Sequence, residues 1–497
     1  MPKVKVSAGF EHAGNGALVI EGRSIDYIPE SERHGKLSSQ GPFWFLGNFH
    51  FLTISLGFVG PSMGLSAWWT TLSGALGIMF GTIFMAFHGS QGPEMGLPQM
   101  IQSRAQFGYR GVVLALMATI FVFVGLNVVT VTLITDGMGS VFHFDKVSVG
   151  CAVIGAGALL AIFGHDLMHR AFKWALLATL PLYTFVTIAL MSRIEQSHAV
   201  PNVTLGFKWI AFATQFAIAA SYNISYAPFV SDYSRYLPKN TSSAKLIVAV
   251  FLGASLSGAW MIGVGAWLAQ QLKTEDVLLA LYLIGTASMP GLGSMFVVLA
   301  VVGFIPVIAL NSYSAMLTLL TGIDSFRKLT PTPRARVTAI IAISAVALVC
   351  ALSIDGKGIA ILNVFMTVLL YFLVPWTAVN LVDYFFVRKG HYAISHFFMP
   401  DGIYGTWQFR GIAAYLAGFT AMIPFFYVFD SSSNKAVFVG PLASKLEGVD
   451  IAWLIGLVVS GIVYYILSRS LDLGAERRVI ASIKESDLVG VAHRDSK

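Results

Sequence analysis

The stretches FHFLTISLGFVGPSMGLSAWW (49–69) and FAIAASYNISYAPFVSDYSRYLP (216–238) decide how this chain folds. Each is an apolar run long enough to cross about 30 Å of hydrocarbon as a helix. Each is also interrupted where a helix should continue. The first carries Gly57, Gly60 and Pro61 in mid-run, and the second carries Ser221, Asn223 and Ser225 ahead of Pro228. Proline removes a backbone donor and clashes with the turn before it. In lipid, the carbonyls so freed are costly unless protein, water or a ligand satisfies them. One Gly/Pro pair reads as a simple kink. Two breaks at corresponding places read as paired discontinuous helices with a site between them.

Outward from these runs, the rest of the chain reads the same way. Of 497 residues, 56% are apolar and 11% charged. A soluble domain is usually about a quarter charged. Blocks of roughly 17 to 25 apolar residues recur without an amphipathic face. We read twelve spans, at 43–66, 67–89, 112–135, 147–164, 171–191, 207–230, 246–270, 294–320, 338–353, 358–382, 411–429 and 451–468. With the N-terminus in the cytoplasm, 25 of the 32 Lys and Arg residues fall in inner segments and 7 in outer ones. The positive-inside rule then places both termini in the cytoplasm, in a cell (inner or plasma) membrane.

The breaks lie in spans 1 and 6, five spans apart. The expected fold is an all-α membrane protein built as a five-plus-five inverted repeat, with two further C-terminal helices. The units are a cytoplasmic tail (1–40), a first repeat (41–205), a second repeat (206–395), spans 11–12 (396–469) and a C-terminal tail (470–497). Both tails read as mobile. No signal-peptide core precedes span 1. Segment 274–288 is too short to span and reads as a surface-lying or re-entrant helix.

Cys151 and Cys350 fall inside apolar blocks and suggest neither a disulfide nor a metal. His165, Asp166 and His169 have spacing that suits a metal, but beside Arg170 and Lys173 they read as an interfacial polar face, so no metal is expected. Nothing suggests nucleic-acid binding. A channel would show charge rings or a filter repeat, and an enzyme would show clustered catalytic groups.

Four segments resemble the purine–cytosine permease branch of the nucleobase–cation symporters. WFLGNFHFLTISLGFVGP (44–61) is similar to the family's first helix, and GPEMGLPQMIQSRAQFGYR (92–110) to its loop after span 2. YNISYAPFVSDYSRYLP (222–238) is similar to its span 6 signature, and YFLVPWTAVNLVDYFFVRKGHY (371–392) to the end of span 10. The resemblance implies import of a nucleobase or related small heterocycle (cytosine, purine, uracil or allantoin class), driven by symport of a proton or sodium ion. It implies no other cofactor. An amino-acid or amine symporter on the same fold is the alternative.

A nucleobase needs an aromatic face and amides for its edge. In span 3, Phe123 and Asn127 share a face at i,i+4, with Thr130 next. The resemblance sets Phe123 where the family usually has Trp. In span 6, Tyr222 and Tyr226 share a face, and Tyr226 stands where the family often has Trp. Asn223 patches the broken backbone. In span 8, Asn311, Ser314 and Thr318 share a face. Family members that take cytosine carry Asn-x-Pro-Asn there, and this chain keeps only Asn311. Ser55, before the span 1 break, completes the substrate candidates. For coupling, sodium would use carbonyls near Gly57 with Ser312 and Ser314. A proton would use His50 or Asp232, and the resemblance favours it. Asp232 with Arg235, and Arg104 with Glu94, read as parts of an inner gate.

Overall fold

The computed structural model describes residues 24–192, 205–272, 274–329, 332–354, 358–430 and 435–483. Residues 1–23 and 484–497 of the two polar tails therefore lie outside the described residues. Among the described residues, eight helices are long and apolar enough to cross a membrane, or up to ten if each of two bent pairs counts as one span. The bent pairs are Leu37–Asn48 with Phe51–Ser62, at 53°, and Ala452–Ser468 with Leu473–Ser482, at 80°.

Every expected span meets a helix. Span 1 is α1 (Leu37–Asn48) with α2 (Phe51–Leu56) and α3 (Val59–Ser62), and span 2 is α4 (Ala67–Gly89). Spans 3 to 5 are α5 (Val113–Phe142), α6 (Lys146–Phe163) and α7 (His165–Met191). Span 6 is α8 (Trp209–Ile224) with α9 (Val230–Ser234), and span 7 is α10 (Ser243–Leu272). A short α11 (Val277–Thr286) precedes α12 (Leu292–Phe326), α13 (Pro333–Ser353) and α14 (Gly358–Val382), which are spans 8 to 10. Spans 11 and 12 are α15 (Phe409–Met422) and α16 (Ala452–Ser468), and α17 (Leu473–Ser482) follows. The helices at spans 6 and 11, α8 and α15, have only 16 and 14 residues.

Local chemistry starts several of these helices. Asp145 accepts the Ser148 N–H at 2.8 Å ahead of α6, and Asp276 accepts those of Leu278 and Leu279 ahead of α11. Thr332 caps α13, whose first residue is Pro333. Gly164, at φ +85°, makes the turn between α6 and α7.

The helices form two groups. α4 packs on α8 and α10, and α1 packs on α10. α5, α6, α12 and α13 pack on one another. Two of these contacts recur five spans further on: 1 with 7 matches 6 with 2, and 4 with 8 matches 9 with 3. α15 and α16 pair and cover α14.

The outside is apolar. Leu72, Leu76, Met79, Ile83 and Phe87 form an exposed stripe along α4. Such stripes need a lipid solvent. Trp68, Phe207 and Trp209 are exposed at one end of the bundle and Trp407 and Phe409 at the other, as interfacial aromatics are.

Three expectations are corrected. The chain is not wholly helical: β1 (Tyr427–Asp430) and β2 (Lys435–Val439) form an antiparallel hairpin between α15 and α16. The end of the N-terminal tail is no loose segment. Residues 24–36 form a strap with Ile25, Tyr27 and Ile28 buried. The strap is held by Ile28 N–H to Gly96 O (2.9 Å), Gly35 N–H to Tyr236 O (2.9 Å) and Arg235 to Ser24 O (2.8 Å). The C-terminal tail begins with α17, whose Glu476 holds Arg388 through two hydrogen bonds. Segment 274–288 holds the expected short helix, α11, which packs on α5 and on the start of α12.

Candidate functional site

The break in span 1 falls earlier than Gly57, Gly60 and Pro61. The chain leaves the helix at Phe49 and His50, and His50 is fully extended (φ −160°, ψ 170°). At Gly57 and Phe58 it only loosens for a turn. Gly57 is there for packing: a Cβ would run into the Ile262 carbonyl and Ala266 N of α10. Gly60 likewise faces Thr70 of α4. Pro61 sits in the short α3, which resumes after the loose turn. In span 6 the helix stops at Ile224 and resumes at Val230, so Pro228 does mark the break.

The carbonyl freed at the span 1 break is satisfied by side chains of both broken helices. The Gly47 carbonyl, near the end of α1, accepts the Tyr226 hydroxyl at 2.6 Å and His50 Nε2–H at 2.8 Å. The Tyr226 hydrogen is thereby used, so Tyr222 donates to the Tyr226 oxygen at 2.9 Å. The Tyr222 oxygen also lies 3.3 Å from His50 Nε2 and accepts from Thr53 at 3.4 Å. Asn48 donates to Asn223 Oδ1 at 2.9 Å and to the Ala254 carbonyl at 2.8 Å, and Asn223 donates to Thr82 at 2.5 Å. Asn223 therefore bonds side chains of spans 1 and 2 rather than patching its own backbone.

Beside this hinge lies a buried aromatic group. Phe229, in the broken stretch of span 6, meets Phe123 (4.9 Å between ring centres), Tyr226 (5.1 Å) and Trp44 (6.2 Å). Trp44 also meets Tyr233 at 6.0 Å, and Tyr233 donates to the Leu310 carbonyl of α12 at 3.3 Å. The amides complete the group. Asn127 Oδ1 accepts Asn311 Nδ2–H at 3.0 Å, and Asn127 Nδ2 donates to Ser312 at 3.0 Å. All these residues are buried. Among the described residues, Asn311 Oδ1, Thr130 Oγ1 and Trp44 Nε1 are buried without a partner. A buried polar atom left unpaired costs about 1–3 kcal/mol. Here a donor and two oxygens stand spare on α1, α5 and α12, and α1 and α5 also carry two of these edge-to-face and tilted rings.

Of the substrate candidates, Phe123, Asn127, Tyr222, Tyr226 and Asn311 are thus joined through spans 1, 3, 6 and 8. Ser55 is not drawn in: its hydroxyl donates to the Phe51 carbonyl of its own helix at 3.1 Å. The coupling candidates are dispersed. Ser312 is bonded to Asn127, Ser314 lies beside the Asp232 carboxylate, and Gly57 packs on α10. Asp232 accepts the Gln99 N–H at 3.0 Å, and Arg235 donates to the Asp232 backbone carbonyl at 3.2 Å rather than to its carboxylate. Arg104 pairs with Asp324 of α12 at 2.9 Å, a partner other than Glu94. Sequence reasoning passed over Trp44 and Phe229, although both lie within family-like segments, 44–61 and 222–238, and Phe229 adjoins Pro228.

A crevice opens at the end of the bundle opposite the strap. Val59, Met63, Ile218 and Leu370 line it, with Tyr427 and Asp450 at its rim. Asp450 is bonded to the Tyr371 hydroxyl and to Ala452 N–H (2.8 Å). Burial pushes the Asp450 carboxyl up from its usual 3.8 to about 6.

Broken helices meeting at a buried, uncharged aromatic–amide centre inside a lipid-facing bundle define an integral membrane transporter. The chain belongs to the family of permeases for cytosine/purines, uracil, thiamine and allantoin, whose pattern it matches over residues 27–456. It is 34% identical over 459 residues to YxlA of Bacillus subtilis (strain 168), provisionally named a purine-cytosine permease, covering 91% of this chain and 96% of that one. It is 23% identical over 492 residues to the purine-cytosine permease FCY2 of Saccharomyces cerevisiae, covering 93% and 88%. Its fold is that of Mhp1, a nucleobase-cation-symport-1 family transporter solved closed around bromovinylhydantoin. The TM-score is 0.69 at 16% identity, over 94% of this chain and all of that one.

Proposed function

We propose that this protein imports a neutral nucleobase or closely related planar heterocycle by cation symport. Twelve spans, an inverted repeat and cytoplasmic termini complete the reading. The observation that carries it is the group at the helix breaks: rings of Trp44, Phe123, Tyr226 and Phe229 beside the Asn127–Asn311 pair, with spare polar atoms on Asn311 and Trp44. Rings stack on a flat substrate, each base gaining about 1–3 kcal/mol. Spare donors and acceptors read its edge and reject analogues that leave them unpaired. Among the described residues named in this group none is ionised, which disfavours an amino acid. The relatives' names and the hydantoin of Mhp1 point to the same chemistry. The crevice is then the outer approach, and the strap closes the inner mouth. The proton is the favoured ion, because His50 sits in the hydrogen-bonded hinge that any opening must rearrange.

The test is thermal stability of the purified protein against cytosine, uracil, adenine, hypoxanthine, guanine, allantoin, a hydantoin, thiamine and several amino acids. A ligand at about 100 times its Kd adds roughly 2.7 kcal/mol. Stabilisation by one or more heterocycles is expected. Stabilisation by amino acids alone would leave only the fold standing.

A further inference from the structure

The strap brings a third ligand to a pair that is incomplete in the sequence. His165 and Asp166 open α7, and His34 arrives from the strap, 132 positions before Asp166. His34 Nε2 lies 3.2 Å from Asp166 Oδ1, and His165 Nδ1 lies 3.0 Å from the same oxygen. The three ligand atoms all fall within 4.8 Å of one another. His169, the partner suggested by i,i+4 spacing, instead packs its ring against His165 at 4.3 Å.

The hydrogen bonding of His34 indicates what belongs between these atoms. Its Nδ1 is 2.9 Å from the Glu32 carbonyl, which can only accept. That nitrogen therefore carries a hydrogen. Nε2, 3.2 Å from a carboxylate oxygen, then needs a positive charge in the gap, which either a second proton on the ring or a bound metal ion supplies. An N–H given to a backbone carbonyl is also how metal-binding imidazoles are oriented. With metal–nitrogen bonds of about 2.0–2.1 Å, tetrahedral ligands stand roughly 3.3–3.5 Å apart, close to the 3.2 and 3.0 Å between the Asp166 oxygen and the two imidazole nitrogens. Two imidazoles and one carboxylate suit zinc and its neighbours, whereas calcium and magnesium take oxygen-rich sets.

We propose that His34, His165 and Asp166 form a site for one divalent transition-metal ion of the zinc class, with water as the fourth ligand. The ion fastens the strap to the start of α7. The same strap is bonded to Tyr236 just beyond α9 and to the loop after α4. Metal binding therefore stabilises the closed mouth against any state in which the strap lifts. The proposal does not depend on what the protein transports.

Tag-free, full-length protein stripped with a chelator is titrated with Co²⁺, followed by its visible ligand-field absorption, and then with competing Zn²⁺. The expected result is one saturable ion per chain, displaced by Zn²⁺, with a higher melting temperature and no response to Mg²⁺. His34→Gln keeps a polar group at this exposed position but removes the imidazole. It should melt like the wild type without metal and bind Co²⁺ at least tenfold more weakly, as should Asp166→Asn. Absence of saturable Co²⁺ uptake by the wild type overturns the proposal. Equal uptake by His34→Gln also overturns it, since the ion would then be held elsewhere.

Discussion

Removing the Asn127 carboxamide strands two buried partners at once, the Asn311 amide and the Ser312 hydroxyl. Asn127→Ala should therefore weaken heterocycle binding and also cost about 1–3 kcal/mol of stability. Viewed along the sequence alone, the residue binds substrate and leaves folding untouched, because its cross-helix partners cannot be seen there. Thermal unfolding with and without ligand separates the effects, and unchanged binding would remove Asn127 from the site. Tyr226→Phe keeps the ring but loses the donor to the Gly47 carbonyl. It should lower stability by about 1–2 kcal/mol while retaining some ligand stabilisation. His50→Gln tests coupling. If His50 carries the proton, substrate-driven alkalinisation outside proteoliposomes disappears while binding persists. Continued proton movement in that variant would assign the coupling to another group, such as Asp232.

Between elements, the decisive contacts are close backbone approaches. Gly57 of span 1 meets the backbone of α10, and Gly265 of α10 meets the Ile54 carbonyl in return. Gly57→Ala puts a methyl group against peptide atoms that cannot rotate away. The expected loss is at least about 1–3 kcal/mol, the usual range for overpacking. An unchanged melting temperature would mean that the two helices can part at little cost. The glycine was legible as a feature of span 1, but its task was not. A glycine at a helix break and a glycine at a helix contact look the same in sequence, and only the neighbouring helix distinguishes them.

Across the whole molecule, the two mouths differ. On the strap side, Arg104–Asp324 and Asp383–Arg388–Glu476 tie distant segments together. At the other end, Asp450 and Tyr371 close the crevice rim. Burial raises the Asp450 carboxyl from 3.8 to about 6. Between those values the folded protein keeps a proton that the unfolded chain has released. Stability from this group therefore falls as pH rises from about 4 to 6, by roughly 2–3 kcal/mol in total. Melting curves of wild type and Asp450→Asn across that range should converge at the acid end and diverge above it, with the variant the more stable. Parallel curves would mean that the rim carboxyl is well solvated.

Apolar run length, charge asymmetry and the paired interruptions are local properties of the chain, and they were enough to establish a membrane-spanning helical bundle broken in spans 1 and 6. Burial, capping and packing are not local. They moved the first break from Gly57 to His50 and converted the freed Gly47 carbonyl into an acceptor for Tyr226. They also drew Trp44 and Phe229 into the centre and brought His34 to Asp166. In lipid every backbone group needs a partner, and which side chain supplies it depends on helices far apart in sequence. That choice belongs to the tertiary structure.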